Sequence, residues 1–305
     1  MKAKPLRNIA ASVRARLAKI AKEKGEDFQR LLVRYATERF LYRLYRSIYA
    51  DKFVLKGAML FVAQAGWPYR PTRDLDLLGL EKRTAAILAE TISGICTVRV
   101  EEDGILFDPH SVKVRAIRED QEHGGLRVLV TARLEQARIQ LQIDVGFGDA
   151  VVPPPQEIVF PSLLGFPSAR IRAYSKEAVV AEKAQAMIVL GDVNSRMKDY
   201  YDIWTMSRTF SFDGTTLVAA IGASFAARRT EVPQSTPDGL TDEFAAGRKV
   251  MWQGFLRRME LRDTVPNLEE VVVHIRNFLI LPLEAVRDNR PFDTIWPPGG
   301  PWEKT

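Results

Sequence analysis

Two aspartates separated by a single residue form the strongest chemical signal in this sequence. Asp74 and Asp76 alternate with Leu75 and Leu77. Alternate residues of a β-strand lie on the same face, so a strand here buries the leucines and presents two neighbouring carboxylates. Adjacent carboxylates repel each other unless a cation lies between them, and Mg²⁺ or Mn²⁺ accepts oxygen ligands while leaving room for phosphate. The alternative interpretation is an exposed strand edge with two solvated aspartates.

Two other segments support the metal interpretation. Residues 53–55 have the pattern of a short strand that ends at Lys56 and Gly57, and Ala58 begins a predicted helix. A backbone at such a glycine can approach a phosphate closely. Downstream, the strict alternation over residues 139–145 predicts a strand with a third carboxylate, Asp144, on its polar face.

This order of elements is typical of a nucleotidyltransferase palm. Its first strand runs through a glycine into a helix, its second carries two aspartates, and a later strand carries one. In such a site the carboxylates hold metal, and the third also helps to activate the attacking hydroxyl. Asp149 competes with Asp144 for the third position, and the strand register favours Asp144.

The rest of the chain supplies the elements that position these groups. Apolar residues recur at helical spacing after Asp27, which is a predicted helix N-cap. Short runs of alternating residues predict further strands at residues 112–115 and 126–130. We therefore predict an α+β fold with N-terminal helices, a mixed sheet and a helical C-terminal domain, divided into residues 1–165 and 166–305. The C-terminal helices are predicted at residues 177–190, 196–206, 215–227, 243–258 and 268–279, and residues 296–302 are predicted to be a tail or a surface extension.

Charge is distributed unevenly along the chain. The 305 residues contain 44 Lys and Arg against 38 Asp and Glu, a net charge of +6. The first 50 residues contain 13 basic and 4 acidic residues, so they carry +9 and the remainder carries −3. This asymmetry favours a polyanionic partner such as RNA, with a solvated helix surface as the alternative. The candidate RNA-facing residues are Arg14, Arg16, Lys19, Lys22 and Lys24.

Composition also restricts the location of the protein. No run of 18 uncharged apolar residues is present, so no membrane association is expected. The single cysteine, Cys96, excludes an internal disulfide and is compatible with the cytoplasm, which is the predicted location.

The sequence resembles the AbiEii/AbiGii-type nucleotidyltransferase toxins, which include the mycobacterial MenT toxins, over most of its length. The segments that carry the resemblance are residues 38–44, 53–58, 70–78, 143–149, 181–183 and 194–202. The resemblance implies a DNA polymerase β-like core and metal-dependent transfer of a nucleotide from an NTP to RNA. In studied relatives the acceptor is the 3′ end of tRNA. It also implies a toxin–antitoxin or phage-defence setting and a cognate antitoxin.

The resemblance also assigns roles to individual residues. Asp74 and Asp76 match the metal-binding pair, and Lys183 matches a lysine at the triphosphate. Asp199 and Asp202 lie in a late motif in which relatives carry one essential aspartate. The implied NTP-binding positions are Lys56, Gly57, Ala58, Arg73, Lys183 and Lys198. Ala58 stands where the wider superfamily often has serine, so one hydroxyl contact to phosphate is absent.

Two other functions remain open from the sequence. One is a nucleotidyltransferase with a small-molecule acceptor, against which the basic N-terminal region argues mildly. The other is a non-catalytic relative that binds RNA or an antitoxin. Metal titration separates the second from the enzymes, because a binding module does not require Mg²⁺.

Overall fold

The chain folds into two compact units. The computed structural model describes residues 8–65, 70–72, 74–117, 125–261 and 265–305. The first unit contains the residues up to Gly148 together with Glu157–Ala173, and the second contains Asp149–Gln156 together with Tyr174–Thr305. Each unit has its own helices and its own sheet.

Three helices of the first unit begin at polar residues that cap their N-termini. Helix α1 spans Ile9–Lys24, and its N-cap Asn8 accepts a hydrogen bond from the Ala11 backbone. Helix α2 spans Phe28–Arg46, and the predicted N-cap Asp27 accepts a bond from the Arg30 backbone, which confirms that prediction. Helices α3 (Met59–Ala65) and α4 (Ala85–Cys96) complete the set in the described part of this unit.

A mixed seven-stranded sheet forms the centre of this unit. Its strands are β1 (Phe53–Lys56), β2 (Asp74–Gly79), β3 (Ile105–Ala116), β4 (Leu126–Leu134), β5 (Ala137–Phe147), β6 (Gln156–Val159) and β7 (Arg170–Ala173). They lie in the order β3-β4-β5-β2-β1-β7-β6. Strand β2 pairs parallel with β5 and antiparallel with β1, whereas β4 pairs antiparallel with both β3 and β5. The predicted α+β class with a mixed sheet is confirmed.

The two faces of the sheet differ in polarity. Strand β5 alternates strictly, so that Ile139, Leu141, Ile143 and Val145 are buried. Helices α1, α2 and α4 contact this side of the unit through β4, β5 and β3 respectively. The opposite face carries the polar side chains of β2, β4 and β5, and these are the residues available for chemistry.

A buried ion-pair network attaches α2 to the segment that precedes β3. Asp103 accepts bonds from Arg39 Nε at 2.8 Å and from Arg43 Nη1 at 2.7 Å, and all three side chains are buried. Part of the positive charge of the first 50 residues is therefore neutralised inside the protein. The exposed basic residues of this region lie mainly on α1.

The second unit is mostly helical. Its helices are α5 (Lys176–Leu190), α6 (Met197–Thr209), α7 (Gly214–Ala227), α8 (Asp242–Gly247), α9 (Lys249–Met259) and α10 (Leu268–Arg287). Helix α10 packs against α6, α7 and α8. A small three-stranded sheet, which the sequence analysis did not predict, joins β8 (Phe212–Asp213), β9 (Thr294–Trp296) and β10 (Glu303–Lys304).

One prediction for this unit is wrong. The predicted helix over residues 243–258 is two helices, because Arg248 leaves helical geometry and its guanidinium bonds the Asp192 carbonyl oxygen. Of the two alternatives for residues 296–302, the structure has the surface extension: Trp296 is buried, and its indole donates to the Ser207 carbonyl oxygen at 2.7 Å. The ring of Trp302 stacks on Phe278 at 5.8 Å between centroids.

In the part of the chain that the structure describes, no helix is both long and apolar enough to cross a bilayer.

Replacing Asp103 with Asn should reduce the free energy of unfolding by about 3–5 kcal/mol at pH 7, because two buried guanidiniums lose their counter-charge. Urea denaturation measures the effect, and Glu102→Gln, an exposed neighbour, is the matched control. Equal stability of the two variants would contradict the structural role of the network.

The same variant should alter the dependence of stability on pH. Burial raises the pKa of Asp103, but the bonds from Arg43 and Arg39 outweigh burial and leave the pKa below its ordinary value. The stabilisation that the Asp103 carboxylate provides is therefore complete at pH values above its unfolded pKa of about 3.9, and it is lost as the pH falls below that value. The stability difference between the unaltered protein and Asp103→Asn should shrink in that acidic range.

Candidate active site

The predicted carboxylate pair lies on the polar face of the first sheet. On β2, Leu75 and Leu77 are fully buried, whereas Asp74 and Asp76 are only half-buried on the opposite side. The alternation that suggested a strand therefore also orients the two aspartates towards the same face.

Parallel pairing of β2 with β5 brings the third carboxylate beside this pair. Asp76 lies opposite Asp144, and Asp74 lies opposite Gln142. Directly opposed residues of paired strands share a face. The three predicted carboxylates are thus gathered on one surface, although 68 residues separate Asp76 from Asp144 in the sequence.

Two cations extend this arrangement into a row across four adjacent strands. Lys56 on β1 lies opposite Asp76, and Arg127 on β4 lies opposite Asp144. We call Lys56, Asp76, Asp144 and Arg127 the cross-strand charge row. Its two negative charges are adjacent and a positive charge stands at each end.

Gly57 allows close approach of the backbone to Asp76. Its φ is +70°, and a Cβ atom built on it would lie 2.1 Å from the Asp76 Oδ2 atom. No residue with a side chain fits beside that carboxylate without displacing it. The next residue, Ala58, is buried. The glycine motif therefore adjoins the carboxylates directly, as its place in the sequence suggested.

Arg127 is a site residue that the sequence analysis missed. Its Nε donates to Asp144 Oδ1 at 2.8 Å, and its Nη2 donates to Oδ2 at 2.7 Å. The bond to Asp144 is the main cause that raises the pKa of Arg127, and the charges of Asp74 and Asp76 act in the same direction. Its position on the polar face of β4 was available from the alternation of residues 126–130, but its pairing required the register.

The donor set fits a divalent cation bound through two carboxylates. Among the described residues, no three His, Cys, Asp or Glu side chains are arranged to hold a metal ion by themselves. Mg²⁺, however, is commonly bound by one or two carboxylates together with substrate phosphates. Asp74 and Asp76 supply such a pair.

A second cluster of predicted residues lies within the helical unit. The Nζ atom of Lys183 on α5 contacts Asp199 Oδ1 at 2.5 Å and Asp202 Oδ2 at 2.8 Å, both on α6. The two aspartates are each 1% exposed and Lys183 is 13% exposed, so this cluster is an interior ion triad. Lys183 therefore bridges both aspartates of the late motif, in which relatives carry one essential aspartate.

Neighbouring cations keep Asp199 ionised. Burial raises the pKa of this carboxyl, but Lys183 and Arg196 outweigh burial and bring the pKa below its ordinary value. Arg196 Nε lies 2.7 Å from Asp199 Oδ2. Sequence analysis did not single out Arg196, although its i, i+3 spacing from Asp199 was a usable signal.

The remaining predicted residues are placed as follows. Lys198 is exposed on α6, next to the buried Asp199. Asp149, the alternative third carboxylate, belongs to the second unit and pairs with Arg228 at 3.0 Å. Arg73 lies outside the described residues. Cys96 is buried, and burial raises the pKa of its thiol to about 12, so it is not a reactive thiol.

Comparison with known proteins identifies a family model that covers both clusters. The model describes the nucleotidyl transferase AbiEii toxin of a type IV toxin–antitoxin system and matches residues 39–273, more than three quarters of the chain. No curated protein matches the chain in sequence.

Two solved structures resemble the fold. MenT4, a nucleotidyltransferase toxin from Mycobacterium tuberculosis H37Rv, is 17% identical with a TM-score of 0.51, over 90% of this chain and 99% of that protein. JHP933 from Helicobacter pylori is 14% identical with a TM-score of 0.45, over 82% of this chain and 90% of that protein. The likeness to MenT4 shows a shared fold, in agreement with the nucleotidyltransferase core that the resemblance implied.

Replacing Gly57 with Ala should weaken Mn²⁺ binding about tenfold, because the new Cβ displaces Asp76. Gly25→Ala is a matched control, since Gly25 has φ +63° with no atom within 4 Å of the added Cβ. Both variants should lose about 1–2 kcal/mol of stability from the left-handed backbone. Titration of Mn²⁺ should separate them, and equal affinities would show that Gly57 does not position Asp76.

Replacing Lys183 with Met should destabilise the protein by about 3–5 kcal/mol at pH 7, because Asp199 and Asp202 remain buried without their shared cation. Arg196 still contacts Asp199 in this variant, but the shared cation of both buried carboxylates is gone. Protonation relieves a buried carboxylate that has lost its counter-charge, so stability should increase as the pH falls from 7 to 5.

Urea denaturation at several pH values tests this expectation. The exposed Lys198→Met on α6 is the control and should change stability by about 0.5 kcal/mol or less. If Lys183→Met is as stable as Lys198→Met at pH 7, the triad does not hold α5 and α6 together.

Proposed function

The chain belongs to the AbiEii nucleotidyltransferase toxin family of type IV toxin–antitoxin systems, and we propose that it transfers a nucleoside monophosphate from an NTP to the 3′ acceptor end of tRNA. Membership of this family implies an antitoxin partner and an NTP substrate. The acceptor, the metal and the site residues are parts of the proposal.

The observation that carries the proposal is the convergence of Asp74, Asp76 and Asp144 on the face of one sheet, beside the Gly57 turn. Catalysis of nucleotidyl transfer mainly requires that the protein neutralises charge on the phosphates and aligns the attacking hydroxyl. Carboxylates grouped on a rigid sheet, next to a glycine turn whose missing side chain makes room for Asp76, suit this task.

We assign the divalent cation, Mg²⁺ or Mn²⁺, to Asp74 and Asp76. The cation would neutralise the phosphates and lower the pKa of the acceptor hydroxyl. Lys56 stands beside Asp76 at one end of the charge row and is suited to a phosphate oxygen of the NTP. The Gly57–Ala58 turn would approach the same phosphates through its backbone. Arg127 fixes the position of the Asp144 carboxylate beside this pair by bonding both of its oxygens.

We assign the triphosphate to Lys183 and Lys198, with Arg73 as a further contact. Asp199 and Asp202 keep the Lys183 ammonium charged and fix its position. Since both aspartates contact the same ammonium, both act as positioning residues in this proposal. Loss of activity in a Lys183 variant must therefore be weighed against its loss of stability.

The RNA acceptor is supported by the charge on α1. Arg14, Arg16, Lys19, Lys22 and Lys24 are exposed along this helix. A row of exposed cations favours a polyanion such as tRNA over a small acceptor. NTPs and tRNA are cytoplasmic, and we propose that the protein acts there.

Incubation with total RNA, Mg²⁺ and each α-labelled NTP tests the proposal. We expect label in a tRNA-sized band for at least one NTP, reduced about 100-fold or more in Asp76→Asn. Glu102→Gln, which removes an exposed carboxylate from the same unit, is the control and should retain the label.

Other outcomes would overturn parts of the proposal. Label found only in small molecules would replace tRNA by a small acceptor. Absence of label together with absence of Mn²⁺ and NTP binding would identify a non-catalytic relative that binds RNA or the antitoxin.

A further inference from the structure

Arg127 binds the carboxylate of Asp144, which the sequence analysis assigned as a third metal ligand. Both oxygens of Asp144 accept bonds from its guanidinium, at 2.8 and 2.7 Å. Gln142 Nε2 lies a further 3.5 Å from Asp144 Oδ2. A planar guanidinium bound through two parallel bonds is the strongest pairing available to a carboxylate from a side chain. Arg127 and Gln142 therefore fill three of the roughly four acceptor positions of the Asp144 carboxylate.

The backbone register fixes this pairing. Arg127 and Asp144 are directly opposed residues of the antiparallel strands β4 and β5. Their side chains are 29% and 17% exposed, so water competes only weakly for the pair. The arginine therefore needs no long, flexible reach to hold Asp144, and little conformational entropy is lost.

We propose that Arg127 withholds Asp144 from the metal, so that this chain binds one divalent cation on Asp74 and Asp76 with Arg127 as the permanent counter-charge of Asp144. The inference rests on the proposed function, because it assumes a divalent cation at this pair. Arg127 is a positioning residue in this description, and its effect is on the ligand set of the metal.

Binding of Mn²⁺ alone, without NTP or RNA, tests the inference. Electron paramagnetic resonance of free Mn²⁺ gives affinity and stoichiometry for the full-length protein and its variants. The variants are Arg127→Gln, Asp144→Asn, the double variant, Asp76→Asn and Arg133→Gln, and circular dichroism melting confirms that each is folded. Arg133 is the charge-matched control, because it is exposed on β4 and lies opposite Arg138, away from the carboxylates.

We expect one Mn²⁺ per unaltered protein, with affinity unchanged in Arg133→Gln and in the double variant, which removes one charge of each sign. Arg127→Gln should bind Mn²⁺ about tenfold more tightly, because the released carboxylate joins the ligand set. A further variant, Lys56→Gln, removes a positive charge from the other end of the charge row without releasing Asp144, so its gain should be smaller than that of Arg127→Gln.

Three results would overturn the inference. Weakening of Mn²⁺ binding in the double variant would show that Asp144 is a ligand despite Arg127. Unchanged affinity in Arg127→Gln would show that Arg127 withholds nothing. A gain in Lys56→Gln equal to that in Arg127→Gln would assign the effect to charge alone.

Failure of the proposed function gives a different result. If Asp76→Asn binds Mn²⁺ as well as the unaltered protein does, or if the unaltered protein binds none, the divalent site itself is wrong. If Asp76→Asn loses Mn²⁺ and the double variant also loses it, the divalent site stands and only the role of Arg127 is wrong.

Discussion

A buried carboxylate must be neutralised by a cation from another element, and this constraint organises both units of the protein. Asp103 meets Arg39 and Arg43 of α2, Asp144 meets Arg127 across two strands, and the aspartates of α6 meet Lys183 of α5. Each pairing joins two different elements, because the desolvation of a lone charge in the interior costs several kcal/mol. The pairings therefore select one arrangement of elements over others that the hydrophobic pattern alone would allow.

The same constraint joins structure to chemistry at the proposed site. The sheet register places two carboxylates side by side, which is unfavourable, and sets Lys56 and Arg127 at the ends of the row. Such a site can bind one more cation, and Lys56 and Arg127 stabilise the two carboxylates when that cation is absent. The arginine that stabilises the acidic face thus also limits how many carboxylates remain available to a ligand.

Charge asymmetry along the chain has two separate origins in the structure. Arg39 and Arg43 contribute to the basic balance of the first 50 residues, but they are buried and paired with Asp103, an acid from outside that region. The cations of α1 are exposed, and two of them pair with acids at the surface, Arg14 with Glu135 and Lys19 with Glu23. A net charge read from the sequence therefore overstates the basic surface, because counting residues does not distinguish an interior ion pair from a solvated side chain.

Local patterns in the sequence determined the strands of the site, the faces of Asp74, Asp76 and Asp144, the N-cap at Asp27 and the family. Period-two alternation and capping depend on near neighbours, so they are visible without a structure. Only the tertiary structure decided the bond between Arg127 and Asp144, the triad around Lys183, the break at Arg248 and the burial of Trp296. These features depend on strand register and helix packing, which bring together residues of different elements that no local period relates.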